Sequence, residues 1–334
     1  SAFTGAIVNA LLSIGVHGAA LAIPLRFVTG VCLAGVYPPG MKIVATWFRA
    51  RRGVALGTLV AALTVGKASP YLINAIGSSS WRTNLLMISV LAVIGGAIVL
   101  ALHNGPYATA TQPFDIRQVT NVFGNRGVRL ANFGYFGHRW ELYAVWTWAP
   151  VMLRASFGSG ALAETGSFLV IGSGAAGCVI AGLLADRYSR ATIAGAAMAI
   201  SGTCCIIVGF FFGHAPALLL LIMAIWVATV VADSAQFSAA VTEFADARYL
   251  GTALTMQTCV GFLITTISIR AMPVLVDAVG WRYAFIALAP GPFLGIIAMA
   301  RLRHLTATAI PTTSSAPART QDSSASARRS AANR

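Results

Sequence analysis

Ten stretches of this chain are long and apolar enough to cross a lipid bilayer, and no other feature limits its fold as strongly. A transmembrane helix needs about 20 mostly apolar residues. The stretches lie at residues 1–16, 19–46, 53–76, 84–102, 129–153, 162–184, 191–213, 216–242, 251–276 and 281–302. Because 57% of the 334 residues are hydrophobic and 10% are charged, the composition lies outside the soluble globular range. The sequence therefore predicts an all-α integral membrane protein.

The net charge of +14 is spread over alternate loops rather than gathered on one soluble region, which argues against nucleic acid as a partner. The arginine-rich loops contain Arg49, Arg51, Arg52, Arg117, Arg126, Arg129, Arg187, Arg190, Arg248, Arg301 and Arg303. The intervening loops contain only Arg82, Arg154 and Arg282. Since basic loops stay in the cytoplasm, we predict a multi-pass protein of the cell (inner) membrane with a cytoplasmic C-terminus.

Two parts of the chain repeat each other. The sequence FRARRGVALGTL, followed by an apolar span and WRTNLLM, resembles FADARYLGTALTM, followed by a span and WRYAFIAL, at an offset of 196 to 200 residues. Such a repeat indicates two equivalent helix bundles. The alternative is that short loops on one side of a membrane share this composition. If the offset holds, the span that begins near Leu130 has a partner almost 70 residues before Ser1, so the visible spans are the last ten of twelve.

These observations divide the chain into four predicted regions. Residues 1–102 form the remainder of an N-terminal bundle, residues 129–303 form a six-helix C-terminal bundle, and residues 103–128 join them as a cytoplasmic linker. The linker has an apolar stripe typical of a helix at the membrane surface, although a solvated linker is equally consistent; the stripe consists of Ile116, Val119, Val122 and Phe123. Residues 304–334 are rich in Ser, Thr, Ala and Pro, which predicts a disordered cytoplasmic tail.

Two motifs carry a family resemblance. In LRFVTGVCLAGVYPPG, Arg26 is followed four residues later by Gly30. In GLLADRYSR, the pattern Gly-x-x-x-Asp-Arg-x-x-Arg begins at Gly182. With these motifs, the loop charges and the spacing of the spans, residues 1–303 resemble the major facilitator superfamily (MFS) of secondary transporters. The first motif resembles the family's fourth helix and the second resembles the loop between its eighth and ninth helices.

The resemblance implies an MFS-type two-bundle helical transporter in which helices three to twelve are present. Helices one, four, seven and ten of the family line a central cavity, and helices three, six, nine and twelve face lipid. The resemblance also implies a cytoplasmic gate. Gly182 would allow close helix packing, Asp186 would face the positive N-terminal end of a neighbouring helix, and Arg187 and Arg190 would hold the cytoplasmic side. Ser189 stands where the family usually has glycine.

All the charged residues in the middle of a span lie outside the four spans that the resemblance assigns to lipid. An ionised side chain at the bilayer centre costs about 2.5–3.5 kcal/mol, so we expect these residues to line a cavity or a bundle interior. His138 and Glu141 share a helix face, which predicts either a proton relay facing the cavity or a static pair that ties helices together. The candidates for substrate binding and proton coupling are Arg26, Lys67, His138, Glu141, Asp233 and Gln236.

The other candidates also have structural alternatives. Asp233 lies on the same helix face as Gln236. It is predicted either to bind substrate or to pair with Lys67 or Arg26 as a gate between the bundles. The long stem of Lys67 could instead carry its charge to the membrane surface. Arg26 matches an arginine that the family links to proton coupling, but it could also lie near the outer interface.

The cavity candidates include more cations than anions, particularly when Arg139 is added, and this favours a small anionic or zwitterionic solute. Arg139 shares a helix face with Tyr143 and Trp146 and needs a partner from another helix. We therefore predict a secondary active transporter that works by alternating access and couples solute transport to protons as a symporter.

No cofactor, metal or enzymatic activity is predicted. The five cysteines lack metal-ligand spacing, and the chain contains no ATP-binding loop and no nucleophile or metal motif of a membrane-embedded enzyme. The expected partners are a small-molecule solute, protons and the lipid bilayer. One alternative is a proton-driven exporter of apolar compounds. It is less favoured because Pro70 comes four residues after Gly66, whereas in the family's antiporter motif the proline directly follows the glycine. Another alternative is an inactive, truncated membrane protein.

Overall fold

The protein folds into helices joined by short turns. The computed structural model describes residues 1–16, 18–48, 51–77, 80–108 and 123–309, and this part of the chain contains no strand. Its α-helices are α1 (Ala2–Gly15), α2 (Ala19–Ala34), α3 (Tyr37–Trp47), α4 (Arg52–Ile76), α5 (Trp81–Leu100), α6 (Arg126–Phe157), α7 (Ala161–Arg187), α8 (Arg190–Ile207), α9 (Pro216–Ala232), α10 (Ser234–Phe244), α11 (Leu250–Val279), α12 (Trp281–Ala284) and α13 (Pro290–Ala309). Short 3-10 segments lie at Val208–Phe211, Ala247–Tyr249 and Phe285–Leu288.

The helices account for all ten predicted membrane spans, so the predicted all-α membrane fold is confirmed. Within the described residues, eight helical segments are long and apolar enough to cross a bilayer by length and composition. The other two are α1, which has 14 residues, and α6, which has 32 residues. We attribute the lower hydropathy of α6 to its midspan charges, which include His138, Arg139 and Glu141.

Three spans that the sequence suggested to be continuous are interrupted. The span at 19–46 breaks at Gly35 and Val36 between α2 and α3. The last span breaks before Pro290, which has no backbone N–H for a helical hydrogen bond. The span at 216–242 breaks at Asp233, between α9 and α10. No proline or glycine lies at that third break. The break places the buried carboxyl group of Asp233 at a discontinuity in a membrane helix.

Helix α6 is the centre of the C-terminal helices, with contacts to α7, α9, α10, α11 and α13. At the other end of the chain α1 packs against α2 and α5. The main contact between the N-terminal half of the chain and the C-terminal helices is α4 lying along α7. Glycines bring the two backbones together: a carbon added at Gly57 would lie 2.7 Å from the carbonyl oxygen of Cys178, and one added at Gly182 would lie 2.7 Å from that of Gly53. Such small residues are typical of close helix packing in membranes.

The last helix is longer than predicted. Helix α13 runs to Ala309, so it enters the region 304–334 for which we predicted a disordered tail. Residues 310–334 lie outside the described residues, as do residues 109–122, which hold most of the predicted linker stripe. The division into two bundles, a linker and a tail stays a prediction.

Candidate functional site

Glu141 lies near the middle of α6 and is fully enclosed, with 1% of the residue exposed. Three side chains donate hydrogen bonds to its carboxylate: Trp226 Nε1 to Oε1 at 2.5 Å, Cys205 Sγ to Oε1 at 3.2 Å, and Ser201 Oγ to Oε2 at 3.1 Å. The donors come from α8 and α9, so the carboxylate joins three helices. All three donors are neutral. The electrostatic potential around this buried group therefore depends strongly on whether the carboxyl group is protonated.

His138, one turn before Glu141, lies against Asp233 at the break between α9 and α10. Its Nδ1 is 2.7 Å from Oδ1 of Asp233, so the two side chains form a close pair. Both residues are buried, with 0% and 1% exposed. The rings of Tyr135 and Phe237 pack on the imidazole at centroid distances of 5.8 and 5.6 Å. The backbone of Val230 is a further hydrogen-bonding neighbour of the imidazole.

The structure therefore corrects the predicted pairing of His138 with Glu141. The two side chains share a helix face, but Glu141 bonds to Trp226 and His138 lies against Asp233. This face packs into the core of the C-terminal helices rather than opening to a cavity, because bulky aromatic side chains cover it. Asp233 likewise pairs with His138, and not with Lys67 or Arg26 as one alternative proposed.

Arg139 points away from that face and is enclosed by aromatic rings. Its guanidinium carbon lies 4.7 Å from the ring centroids of Tyr135 and Phe262 and 5.0 Å from that of Tyr143. Gly261 makes this enclosure possible, because a carbon added there would lie 2.9 Å from Cγ of Arg139. The side chain is 3% exposed, and its Nε has no hydrogen-bond partner among the described residues.

Lys67 reaches the same aromatic rings from α4. Its Nζ lies 4.8 Å from the ring centroid of Tyr143 and 4.6 Å from that of Trp146. The side chain is exposed, yet its ammonium group lies against the aromatic rings of α6. Cation–π contacts of this kind contribute about 0.5–1 kcal/mol at exposed sites, so the rings hold the charge in place without neutralising it.

We call Lys67, Arg139 and Tyr143 the cation junction, because two positive charges from distant parts of the chain approach one ring. Tyr37 of α3 lies within electrostatic range of Arg139. In the described part of the chain, no carboxylate oxygen lies within 4.0 Å of either cation. Because both cations lie within 5.0 Å of one ring centroid, they are less than about 10 Å apart, and like charges at that distance repel by about 2 kcal/mol or more at an effective dielectric constant of about 20. An anion bound beside both cations would remove this repulsion.

The structure places two other predicted residues elsewhere. Arg26 is exposed on α2, and its Nη1 donates to Oδ1 of Asn9 at 3.4 Å. Gln236 is buried on α10 with 1% exposed, and neither atom of its amide has a hydrogen-bond partner among the described residues. Because buried polar groups are usually hydrogen-bonded, we expect ordered water beside Gln236.

The predicted gate loop contacts the N-terminal end of α4. The backbone N–H of Gly53 donates to Oδ1 of Asp186 at 3.2 Å. A carboxylate at this position is favourable because the N-terminal end of a helix carries a partial positive charge. Gly182 lies beside this contact, where a carbon added to it would be 2.7 Å from the carbonyl oxygen of Gly53.

The two arginines of the gate loop have different surroundings. Nε of Arg190 donates to Oε1 of Glu243 at 2.5 Å, which connects α8 to the end of α10. Arg187 is exposed, and its guanidinium lies 5.7 Å from the ring centroid of Tyr188. Helices α10 and α4 are also in contact, as are α3 and α11. At the arginine-rich ends, which the sequence predicts to be cytoplasmic, the two halves of the chain are therefore closed against each other.

Replacing Asp186 with asparagine is expected to open this closed end more often. A negative charge at a helix N-terminus stabilises the contact by about 0.3–1 kcal/mol. Its loss corresponds to about a two- to fivefold rise in the population of the open form. A cysteine introduced at Val60, which is 2% exposed on α4, would report opening through its rate of alkylation by a maleimide. The same protein without the introduced cysteine gives the background rate. Arg187→Gln is the control and should leave both rates unchanged; an equal rise in that variant would contradict a specific role for Asp186.

An ion pair in the loop between α10 and α11 provides a useful comparison for pH effects. Hydrogen bonds from the side chain and backbone of Arg248 lower the pKa of Asp246 to about 2. Nε and Nη2 of Arg248 contact the carboxylate at 2.6 to 3.2 Å. Since the folded pKa is below the ordinary value, this pair is intact above about pH 4 and is lost only as the pH falls towards 2. Asp246 therefore stays ionised throughout the physiological range.

Sequence reasoning missed several partners at these sites. Trp226 was one, although an indole N–H in an otherwise apolar helix usually has a hydrogen-bond partner when buried. Ser201 and Cys205 gave no signal, because small residues are common wherever membrane helices pack. The sequence also gave no indication that Phe262 and Gly261 lie beside Arg139, since their role depends on how α11 crosses α6.

The fold and these contacts define a multi-pass α-helical membrane protein that has buried charges and whose halves meet at the arginine-rich end. Residues 1–268 and 132–332 match the profile of the Major Facilitator Superfamily, and the chain belongs to this family. The MFS transporter asaE of Aspergillus flavus is 25% identical over 175 residues, which are 49% of this chain and 39% of that protein. The match thus spans less than half the length of that relative.

Solved structures share the fold. The human organic anion transporter MFSD10 (TETRAN) superposes with a TM-score of 0.70 at 13% identity, covering 89% of this chain and 75% of that one. The Escherichia coli fucose:proton symporter FucP gives 0.65 at 16% identity, covering 90% and 83%. A structure of FucP in the outward conformation gives 0.65 at 15% identity, covering 90% and 82%.

Proposed function

We propose that the protein is a secondary active transporter that moves a small organic anion across the cell (inner) membrane by alternating access, in symport with protons. The observation that carries this proposal is the cation junction. Lys67 and Arg139 lie within 5.0 Å of the same ring centroid, and neither is paired with a carboxylate in the described part of the chain.

The junction suits an anion with an aromatic or otherwise planar part. The two cations supply charge, and Arg139 has unused hydrogen-bonding capacity at Nε. The rings of Tyr143 and Trp146 supply flat apolar surface beside them. Because Lys67 belongs to α4 and Arg139 to α6, a ligand that bridges them joins the two halves of the chain, as alternating access requires.

Two structural relatives support parts of the proposal. One solved relative is described as an organic anion transporter and another as a fucose:proton symporter. The closed arginine-rich end corresponds to an outward-facing state, which is the conformation reported for one of the FucP structures. A C-terminus in the cytoplasm belongs to the same proposal and rests on the loop charges.

The proton would bind to the buried acidic groups beside the junction. His138 and Glu141 lie close to Arg139 along α6, Asp233 lies against His138, and all three acidic or basic side chains are shielded from water. A change of charge on either carboxyl group would alter the electrostatic potential at Arg139, since both groups and the guanidinium lie in a region of low dielectric constant. We therefore assign proton coupling to Glu141, His138 and Asp233, and solute binding to the junction.

The experiment is a transport assay on the intact native protein in liposomes. With the outside acidic, we expect saturable uptake of a labelled organic anion such as a benzoate or a dicarboxylate, and loss of accumulation when a protonophore collapses the gradient. Empty liposomes are the control. Uptake of neutral sugars or cations without uptake of any anion would overturn the proposed substrate class. Export of apolar dyes driven by the opposite gradient would establish the alternative of a proton-driven exporter.

A further inference from the structure

A groove on the outer side of the C-terminal helices takes no part in the contacts described so far. It has a volume of about 460 Å³ and lies between α6, α11 and α13. Its walls include Leu130, Phe133, Trp140, Leu294, Ile297 and Arg301. Arg301 is the single charged residue in the lining, and the indole N–H of Trp140 is already bound to the carbonyl oxygen of Ala287 at 3.1 Å. The groove is therefore apolar except at one end.

The length and position of the groove fit one leaflet of a membrane. Its floor on α6 runs from Leu130 to Trp140, about 15 Å of helix, and the hydrocarbon core of a bilayer is about 30 Å thick. The wall residues Phe133, Leu294 and Ile297 are 54%, 66% and 50% exposed. Because they lie on membrane-spanning helices, this exposed surface meets hydrocarbon rather than water. An acyl chain is the occupant that matches both the depth and the apolar lining.

The charged end of the groove favours an anionic headgroup. Arg301 is exposed there, at the arginine-rich end of α13. Arg126 and Arg129 precede Leu130 and Phe133 by four residues on α6, so they extend the same helix face beyond the groove. In the described ranges none of the three arginines has a carboxylate oxygen within 4.0 Å. Arginine binds phosphate oxygens with paired hydrogen bonds.

We propose that this groove is a binding site for an anionic phospholipid of the cytoplasmic leaflet. One acyl chain lies along α6 between α11 and α13, and the phosphate contacts Arg301 with Arg126 and Arg129 beside it. The site is independent of the cation junction and of the proposed transport activity, so either can fail without the other.

Native mass spectrometry tests the site. The intact protein is equilibrated with equal amounts of phosphatidylglycerol and phosphatidylcholine, and the lipid that stays bound is identified after release from detergent. We expect retained phosphatidylglycerol to exceed phosphatidylcholine, and Arg301→Gln to reduce that ratio by about three- to tenfold. Arg303→Gln is the matched control, because Arg303 lies two residues further along α13 on another face and should leave the ratio unchanged.

A second pair of variants tests the apolar part of the site. Leu294→Trp fills the groove and should reduce retention of both lipids by at least about threefold. Leu263→Trp adds the same bulk outside the groove, at a leucine that is 65% exposed against 66% for Leu294, and should retain lipid normally.

Several results would overturn the proposal. Equal retention of the two lipids would show ordinary membrane contact without a site. An equal loss in Arg303→Gln would show diffuse surface charge, and unchanged retention in Leu294→Trp would place the lipid elsewhere. A dimer that loses its second copy when Leu294 is replaced would make the groove an interface between copies of the chain.

Discussion

Replacing Lys67 with glutamine is expected to weaken binding of the transported anion by about 10- to 100-fold. The ammonium group supplies one of the two uncompensated charges at the cation junction. A hydrogen bond to a charged group contributes about 1.5–3 kcal/mol, and each 1.4 kcal/mol changes the dissociation constant tenfold. Because Lys67 is exposed, the substitution leaves the helix core intact. Calorimetric titration of the intact protein with the anion measures the change in Kd.

Two further variants separate a specific site from a general loss of positive charge. Arg270 is an exposed cation on α11, and Arg270→Gln should bind the anion with unchanged Kd. Arg139→Lys keeps the charge of Arg139 but removes the planar guanidinium from its three rings, so we expect an intermediate loss. Wild-type affinity in Lys67→Gln would exclude the junction as the binding site, even in a protein that transports anions.

Replacing Glu141 with glutamine is expected to abolish accumulation driven by a pH gradient while preserving exchange of labelled for unlabelled anion. The amide keeps an oxygen that can accept the hydrogen bond from Trp226, but it cannot gain or lose a proton. A symporter without its titrating group still cycles when solute is present on both sides, because exchange requires no net proton movement. We expect at least a tenfold loss of gradient-driven uptake, measured beside exchange in the same liposomes.

The pH control for this experiment is Asp246→Asn. The pKa of Asp246 is about 2 because Arg248 binds its carboxylate, so Asp246 carries the same charge at pH 5 and at pH 8. Its replacement should leave the pH profile of uptake unchanged. If Glu141→Gln lost exchange as well as uptake, Glu141 would be a structural residue. If it retained normal uptake at every pH, the proton would bind elsewhere.

The sequence was sufficient for the fold because membrane insertion imposes a simple rule. Each span must be apolar over about 20 residues, and even α6, with three ionisable residues in its middle, was recognised from its flanks. The same rule says nothing about interruptions such as the one at Asp233, where no proline or glycine breaks the helix. That break depends on the packing around α9 and α10.

The sequence identified the charges of the candidate site but not all their partners. Spacing along α6 placed His138 and Glu141 on one face, and it set Arg139 on another face with Tyr143 and Trp146. It could not show that Trp226 would bind Glu141, because the distance between two helices depends on the crossing angle and on distant glycines. The sequence also could not show that Lys67 meets Tyr143, since this contact depends on how α4 packs along α7.

The glycine contacts between α4 and α7 determine which kind of assay would detect the effect of variants at these positions. Where Gly57 and Gly182 face the opposite backbone, the two helices meet on smooth surfaces without interlocking side chains. A methyl group added at either glycine would lie 2.7 Å from a backbone oxygen of the opposite helix, so the two helices would come together less readily. Variants at these glycines should therefore slow turnover while leaving solute affinity almost unchanged, so a screen that measured binding alone would score them as silent.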